Sequence, residues 1–164
     1  MRSGHTSGDG GPMSQDDIAP WFWEVIERCK PSLATLSEWL ESAKREDVEN
    51  FQRFYLDAAT CVAEAWNGPV VDGIEFSEDS TEDFTAWVVS QGRSVWQQAV
   101  DSSANQEALV REYWRVSEGE PSAYVAWSTE GVRGEYAGYL APEAIAHAVY
   151  ERRFGEDLLD VLAG

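Results

Sequence analysis

The sequence predicts an all-α protein, a single helical domain of about six helices around a long central one, with a flexible tail ahead of it. Three observations carry this. Apolar residues recur at spacings of three and four through most of the chain, the period of an amphipathic helix. Pro, Gly, Ser and Asp fall at the ends of these stretches, where caps and stops belong. No alternating apolar–polar run exceeds about four residues, so no ordinary strand is signalled.

Residues 1–16 hold Gly4, Gly8, Gly10, Gly11 and Pro12 and almost no hydrophobes, so they cannot offset their ordering entropy and read as a tail. Residues 17–164 then fit one domain. A first helix is expected from an Asp16 or Asp17 cap, with Ile18, Phe22, Ile26 and Cys29 on one face and Pro31 as its stop. Ser32 caps a second, striped by Leu33, Leu36, Leu40 and Ala43. The third, over 46–66, carries Val48, Phe51, Tyr55, Ala58, Val62 and Ala65; at roughly 30 Å it spans a small domain and is the expected centre. Asn67-Gly68-Pro69 stops it.

Residues 70–79 read as a loop or short extended piece. Ser80 and Asp83 resemble a capping box for a fourth helix over 81–91, ended by Gly92. A fifth carries Val95, Trp96, Ala99 and Val100, and a sixth spans 105–117. A short helical piece with Tyr124 and Trp127 and an irregular 130–141 loop follow. Pro142 opens the last major helix, which reaches Phe154 before Gly155, and Leu158, Leu159, Val161 and Leu162 form a docked apolar tail.

Charge narrows the function. Thirty acids against 12 bases give a net charge of −18, which argues against nucleic acid or anionic membrane as a direct partner and favours a protein with a basic surface. No secretion-type apolar segment and no membrane-length apolar run is visible, so the cytoplasm is the expected compartment. Cys29 and Cys61 lack metal-ligand or redox spacing and read as small core residues. Nucleophile elbows, Walker loops and dinucleotide glycine fingerprints are absent, so no catalytic residue, cofactor or metal is expected.

Phe22-Trp23, Phe51-Gln52-Arg53-Phe54 and Asp83-Phe84-Thr85-Ala86-Trp87-Val88-Val89-Ser90-Gln91-Gly92-Arg93 together resemble a bacterial domain-of-unknown-function family. Its pattern has an FW-x-x-I opening, an F-x-x-x-F helix and a D-x-F-x-x-[FW]-[LV]-[IV]-x-Q-G-[RK] block. The closing Ala148-Val149-Tyr150-Glu151-Arg152-Arg153-Phe154-Gly155 resembles its A-x-x-x-Y-E-x-x-T-G ending, with Phe154 in place of Thr. The resemblance covers about 20–155 and implies a small helical bacterial domain, with no activity attached. The 70–79 segment lacks the paired glycines and aspartates of that family.

The candidate binding surface is the acidic run Asp72, Glu75, Glu78, Asp79, Glu82 and Asp83, inside a stretch from Arg53 to Arg93 that has no base between them. It reads as a docking face for a basic protein, with immunity-like or DNA-mimic roles among the possibilities, as a divalent-cation site, since clustered carboxylates are hard oxygen ligands, or as solvated loop and helix-N-terminal charge. Its spacing does not fit a calcium loop. Trp21 and Trp23 lie two apart, so one of them is expected to be partly exposed as an interface anchor. Arg93 completes the set. The alternative is a small-molecule-binding protein or enzyme with a pocket near Gln91, Arg93 and His147. Glu143, His147 and Glu151, each four apart, would stack on one helix face, either as an acid–base group or as an exposed ion-pairing face.

Overall fold

The structure, a computed structural model, describes residues 17–65, 70–116 and 127–164. The tail over 1–16, the Asn67-Gly68-Pro69 stop, Trp66 and the Tyr124 piece lie outside the described residues. The fold is all-α apart from one small hairpin: α1 (Pro20–Cys29), α2 (Leu33–Ser42), α3 (Arg45–Glu64), β1 (Val70–Val71), β2 (Ile74–Glu75), α4 (Glu78–Ser90), α5 (Arg93–Asp101), α6 (Ser103–Val116), α7 (Pro142–Phe154) and α8 (Leu158–Ala163). Helix α3 is the centre, as its length predicts, and it packs against α4, α5, α7 and α8.

Local chemistry explains the boundaries. Pro20 and Pro142 take the first turns of α1 and α7, where their missing N–H costs nothing. Ser32 accepts from the Thr35 N–H, and Ser102 accepts from the Asn105 N–H ahead of the longer α6. Gly155 closes α7 in the left-handed conformation (φ 72°). The apolar tail becomes α8, with Asp157 accepting from the Leu159 and Asp160 N–H groups and Leu158 fully buried.

Two boundaries differ from the sequence expectation. The first helix starts at Pro20, capped by Ala19, and not at Asp16 or Asp17. The fourth starts one turn early: Ser77, not Ser80, is the cap, its Oγ accepting from the Ser80 N–H at 3.0 Å. The reason lies just upstream. Residues 70–75 fold as an antiparallel hairpin whose corner is Asp72-Gly73, both at positive φ (54° and 80°), the requirement of a tight two-residue turn. The hairpin ends at Glu75 and leaves Ser77 free to cap.

Three neighbours of α3 (α4, α5 and α7) are each held in register by a polar side chain bonded to a main-chain carbonyl. The Tyr55 hydroxyl donates to Ala86 O of α4 (2.8 Å), and Trp96 Nε1 of α5 donates to Ala58 O (2.9 Å). Gln52 Nε2 donates to Glu143 O in the first turn of α7 (3.1 Å). Gln106 of α6 donates to Ala99 O (2.5 Å) and, more weakly, to Val62 O (3.4 Å). Around these bonds one apolar core runs from Phe22, Trp23 and Leu36 through Phe51 and Val62 to Phe84, Ile145 and Val149.

Cys29 and Cys61 are buried thiols, and burial pushes the Cys61 thiol up to about 11. Trp127 joins the core, its indole N–H bonded to Ser90 O at 3.0 Å. Beside it, Ser128 pairs with the α1–α2 corner through Leu33 N–Ser128 O (3.0 Å) and Ser128 N–Pro31 O (2.7 Å). The 130–141 loop is pinned by the buried Tyr136 in a short 3-10 turn, Gly134–Tyr136.

The α4–α5 corner turns at Gly92 with φ 103°, which L side chains rarely adopt. A Cβ there would also run into the Glu27 carboxylate and Lys30 Nζ. Lys30 Nζ caps this corner by donating to Gln91 O at 2.9 Å while pairing with Glu27 at 3.1 Å. Gly92→Ala is therefore expected to lower the unfolding free energy by roughly 1–3 kcal/mol in denaturant titration. An unchanged midpoint would show the corner relaxing without strain.

Candidate functional site

The acidic run divides into paired and unpaired members. Asp72 is held in a two-pronged ion pair with Arg111 of α6 (3.0 and 2.8 Å), which also holds its carboxyl below the usual range. Asp72 therefore fixes the hairpin to α6. Glu75 leaves β2, and Glu78, Asp79 and Glu82 occupy the first two turns of α4; all four are exposed. Among the described residues no ion pair reaches any of these four.

Several acids elsewhere do have partners. Glu41 is bound by Arg152, Arg133 (3.3 Å) and the Tyr136 hydroxyl (2.6 Å). Glu49 takes Arg45 (3.1 Å) and the Tyr150 hydroxyl (2.5 Å), while Glu156 takes Arg45 (2.7 Å).

Asp83 turns inward, toward a cleft of about 440 Å³ between α3, α4 and the start of α7. Its apolar lining includes Tyr55, Leu56, Ala59, Ala63 and Ala86, and its acids are Glu82, Asp83 and Glu143. Among the described residues no Lys, Arg or His lines it. Glu143 Oε1 is buried with no hydrogen-bond partner. Burial pushes the Glu143 carboxyl up to about 7, and the Asp83 charge adds to this; its own backbone N–H and the Tyr55 hydroxyl pull the other way and lose. Asp83 is itself raised, first by burial and then by Asp79.

The sequence pattern singled out Glu143, but as one of three residues on a common face. Steps of four overshoot the helical turn by about 40° each, so the face rotates along the series. Glu143 ends up in the cleft, His147 lies 3.4 Å from Asp157, and Glu151 is exposed. The acid–base trio is therefore not assembled. The missed signal was position: the acid directly after a first-turn proline sits where α7 meets α3 and α4.

Of the aromatic anchors, Trp23 is 4% exposed and packs on Trp96 with centroids 5.0 Å apart, so it is a core residue and not a contact residue. Trp21 is half-buried against Trp39 (6.2 Å) and Phe54 (5.8 Å). Arg93 is exposed at the start of α5 and lines a shallow depression with Ser94, Gln97, Gln98 and Asp101. Neither Gln91 nor His147 lines it, so Gln91, Arg93 and His147 do not share one pocket there. The base that answers the end of α4 is Lys30. Among the described residues, no group of three His, Cys, Asp or Glu side chains is placed to hold a metal ion, and no helix is long and apolar enough to cross a membrane.

Folded Glu143 keeps its proton up to about pH 7, whereas the unfolded chain gives it up near 4.5. Between those values folding is linked to proton uptake, so this group's contribution to stability falls as pH rises, by about 3 kcal/mol in total. Glu143→Gln is expected to melt higher than the parent near pH 8, with the advantage gone near pH 4.5. An advantage independent of pH in thermal melts would show that Glu143 titrates as an ordinary glutamate.

Comparison with known proteins agrees with the sequence blocks. No curated protein and no solved structure matches the chain. The family described as Protein of unknown function (DUF4240) matches residues 20–132, which takes in the Phe22-Trp23 opening and the Gln91-Gly92-Arg93 corner and ends before α7. With more than half of its length matched, the chain belongs to that family.

Proposed function

We propose that the protein is a non-catalytic binding module whose partner is a protein with a basic surface, docked on the face formed by Glu75, Glu78, Asp79 and Glu82. The observation that carries this reading is the contrast within the acids. Glu41, Glu49, Asp72, Glu112 and Glu156 are paired with arginines, whereas these four, gathered within residues 75–82, are exposed and, among the described residues, without an ion pair. The first-turn acids Glu78 and Asp79 suit the α4 dipole, but Glu75 lies ahead of the helix and gains nothing from it. Like charges gathered on one face repel one another and steer a positive partner, raising its association rate and making it salt-dependent. The half-buried Trp21 remains as an aromatic anchor elsewhere on the surface.

The test is parallel capture from native extract by the protein and by its Glu75→Lys, Glu78→Lys, Asp79→Lys variant. We expect a basic protein that is retained by the parent, released by about 0.5 M salt as screening shortens to a few ångström, and lost by a variant with an unchanged circular dichroism spectrum. Retention of nothing basic by the parent, or capture that survives the reversal, overturns the reading.

A further inference from the structure

The docking face does not account for the cleft beside it. Among the described residues that cleft joins an apolar wall to three acids without any base, and one of the acids, Glu143, has a buried Oε1 that none of them satisfies. An orphan acceptor of this kind costs on the order of 1–3 kcal/mol, and the fold gains no contact from it. Its complement is a hydrogen-bond donor bearing positive charge on an aliphatic stem. From the geometry we propose that this cleft binds an alkylguanidinium or alkylammonium group, with the cationic head on Glu143 and Asp83 and the stem along Leu56, Ala59 and Ala63.

The chemistry of the walls supports each half. A cavity of about 440 Å³ is within the range of small-ligand sites. Leu56 is 38% exposed, apolar surface that a methylene stem would cover. A guanidinium offers several N–H donors in one plane, enough to reach both carboxylates, and an ammonium offers three.

Charge balance then sets the pH behaviour. The groups facing Glu143 are the Tyr55 hydroxyl from α3 and Glu82 and Asp83 from α4, while His147, one turn along α7, pairs with Asp157. Near neutral pH the Glu143 carboxyl is about half protonated, so seating a cation drives the remaining proton to solvent. Affinity should therefore rise with pH up to about 8. The cation has two sources, a free small amine or guanidine, and the Lys or Arg side chain of a bound protein. The inference stands whether or not the docking face holds a partner.

The test is calorimetric titration of the full chain with butylguanidinium, with butylammonium, with 1-butanol, and with a capped Gly-Arg-Gly peptide. We expect saturable binding of a cation, no binding of the alcohol at the same concentration, and heats that differ between phosphate and Tris by the release of about half a proton near pH 7. Glu143→Gln should weaken binding at least tenfold and abolish the buffer dependence. Ala63→Phe, which fills the cleft without touching an acid, should abolish binding if the glutamine variant folds poorly. A free cation that binds as well as the peptide identifies a small-molecule site, and a peptide that binds while the free cations do not identifies a partner's side chain. No saturable binding by any cation, equal binding of 1-butanol, or binding unchanged in both variants overturns the proposal. Reversing Glu75, Glu78 and Asp79 should leave cleft binding in place, which separates its failure from that of the docking face.

Discussion

The main-chain carbonyls bonded around α3 set the register of everything else. A buried side-chain donor with no acceptor costs about 1–3 kcal/mol, so Gln52, Tyr55, Trp96 and Gln106 resist displacement. Sliding α4, α5 or α7 along α3 by one helical turn would break the corresponding bond and put its donor against an apolar wall. Apolar packing alone would not be so selective, since rows of Leu, Val and Ala tolerate shifts that keep the total volume. The site depends on these bonds directly. Tyr55 ties Ala86 of α4 to α3, and Gln52 ties the backbone of Glu143 to the same helix one turn away. Both walls of the cleft and the carboxyl inside it are thus positioned by two adjacent turns of α3.

Charge is arranged on a different principle. Exposed ion pairs contribute about 0–1 kcal/mol each, so the Arg–Glu network joining α2, α3, α7 and the turn after α7 adds little beyond orientation. What it does is use up arginines. Arg45, Arg111, Arg115, Arg133 and Arg152 each face an acid in the fold, in a chain with only 12 bases for 30 acids. With so few cations left, unanswered negative charge must collect somewhere. Part of it gathers at the hairpin exit and the α4 start, where the helix N-terminus tolerates it best.

The sequence was most legible where one residue type has one physical use. Pro142 and Gly155 bound α7 as expected, Ser32 caps α2, and Gly92 turns the α4–α5 corner at a φ that suits glycine. It was least legible where two residues of the same kind compete. Ser77 and Ser80 both precede helix-forming residues, and only the hairpin ending at Glu75 decides between them. The Asp72-Gly73 corner was a readable turn signal, but its strands are two residues each, too short to show alternation. Of the site, the exposed acids follow from composition and helix-start rules. The burial of Glu143 does not, because it depends on α3 and α4, whose nearest approach in sequence is more than fifty residues away.

Glu143 is also where fold and function separate. At the second position of α7 a carboxylate ordinarily gains from the helix dipole, and an exposed glutamate there would need no explanation. Here burial overrides the dipole and leaves an acid that is half neutral near pH 7. A glutamine could fill the same volume without the charge, and an alanine or leucine without the orphan acceptor, so packing does not ask for a carboxyl. Tyr55 lowers that cost without removing it: its hydroxyl is bonded to Ala86 O and also pulls the Glu143 carboxyl down, but by less than burial raises it, and Oε1 stays without a partner. A group that costs the fold stability and returns nothing to it has its use in what enters the cleft. The acids around it, with no base among the described lining residues, make that occupant a cation.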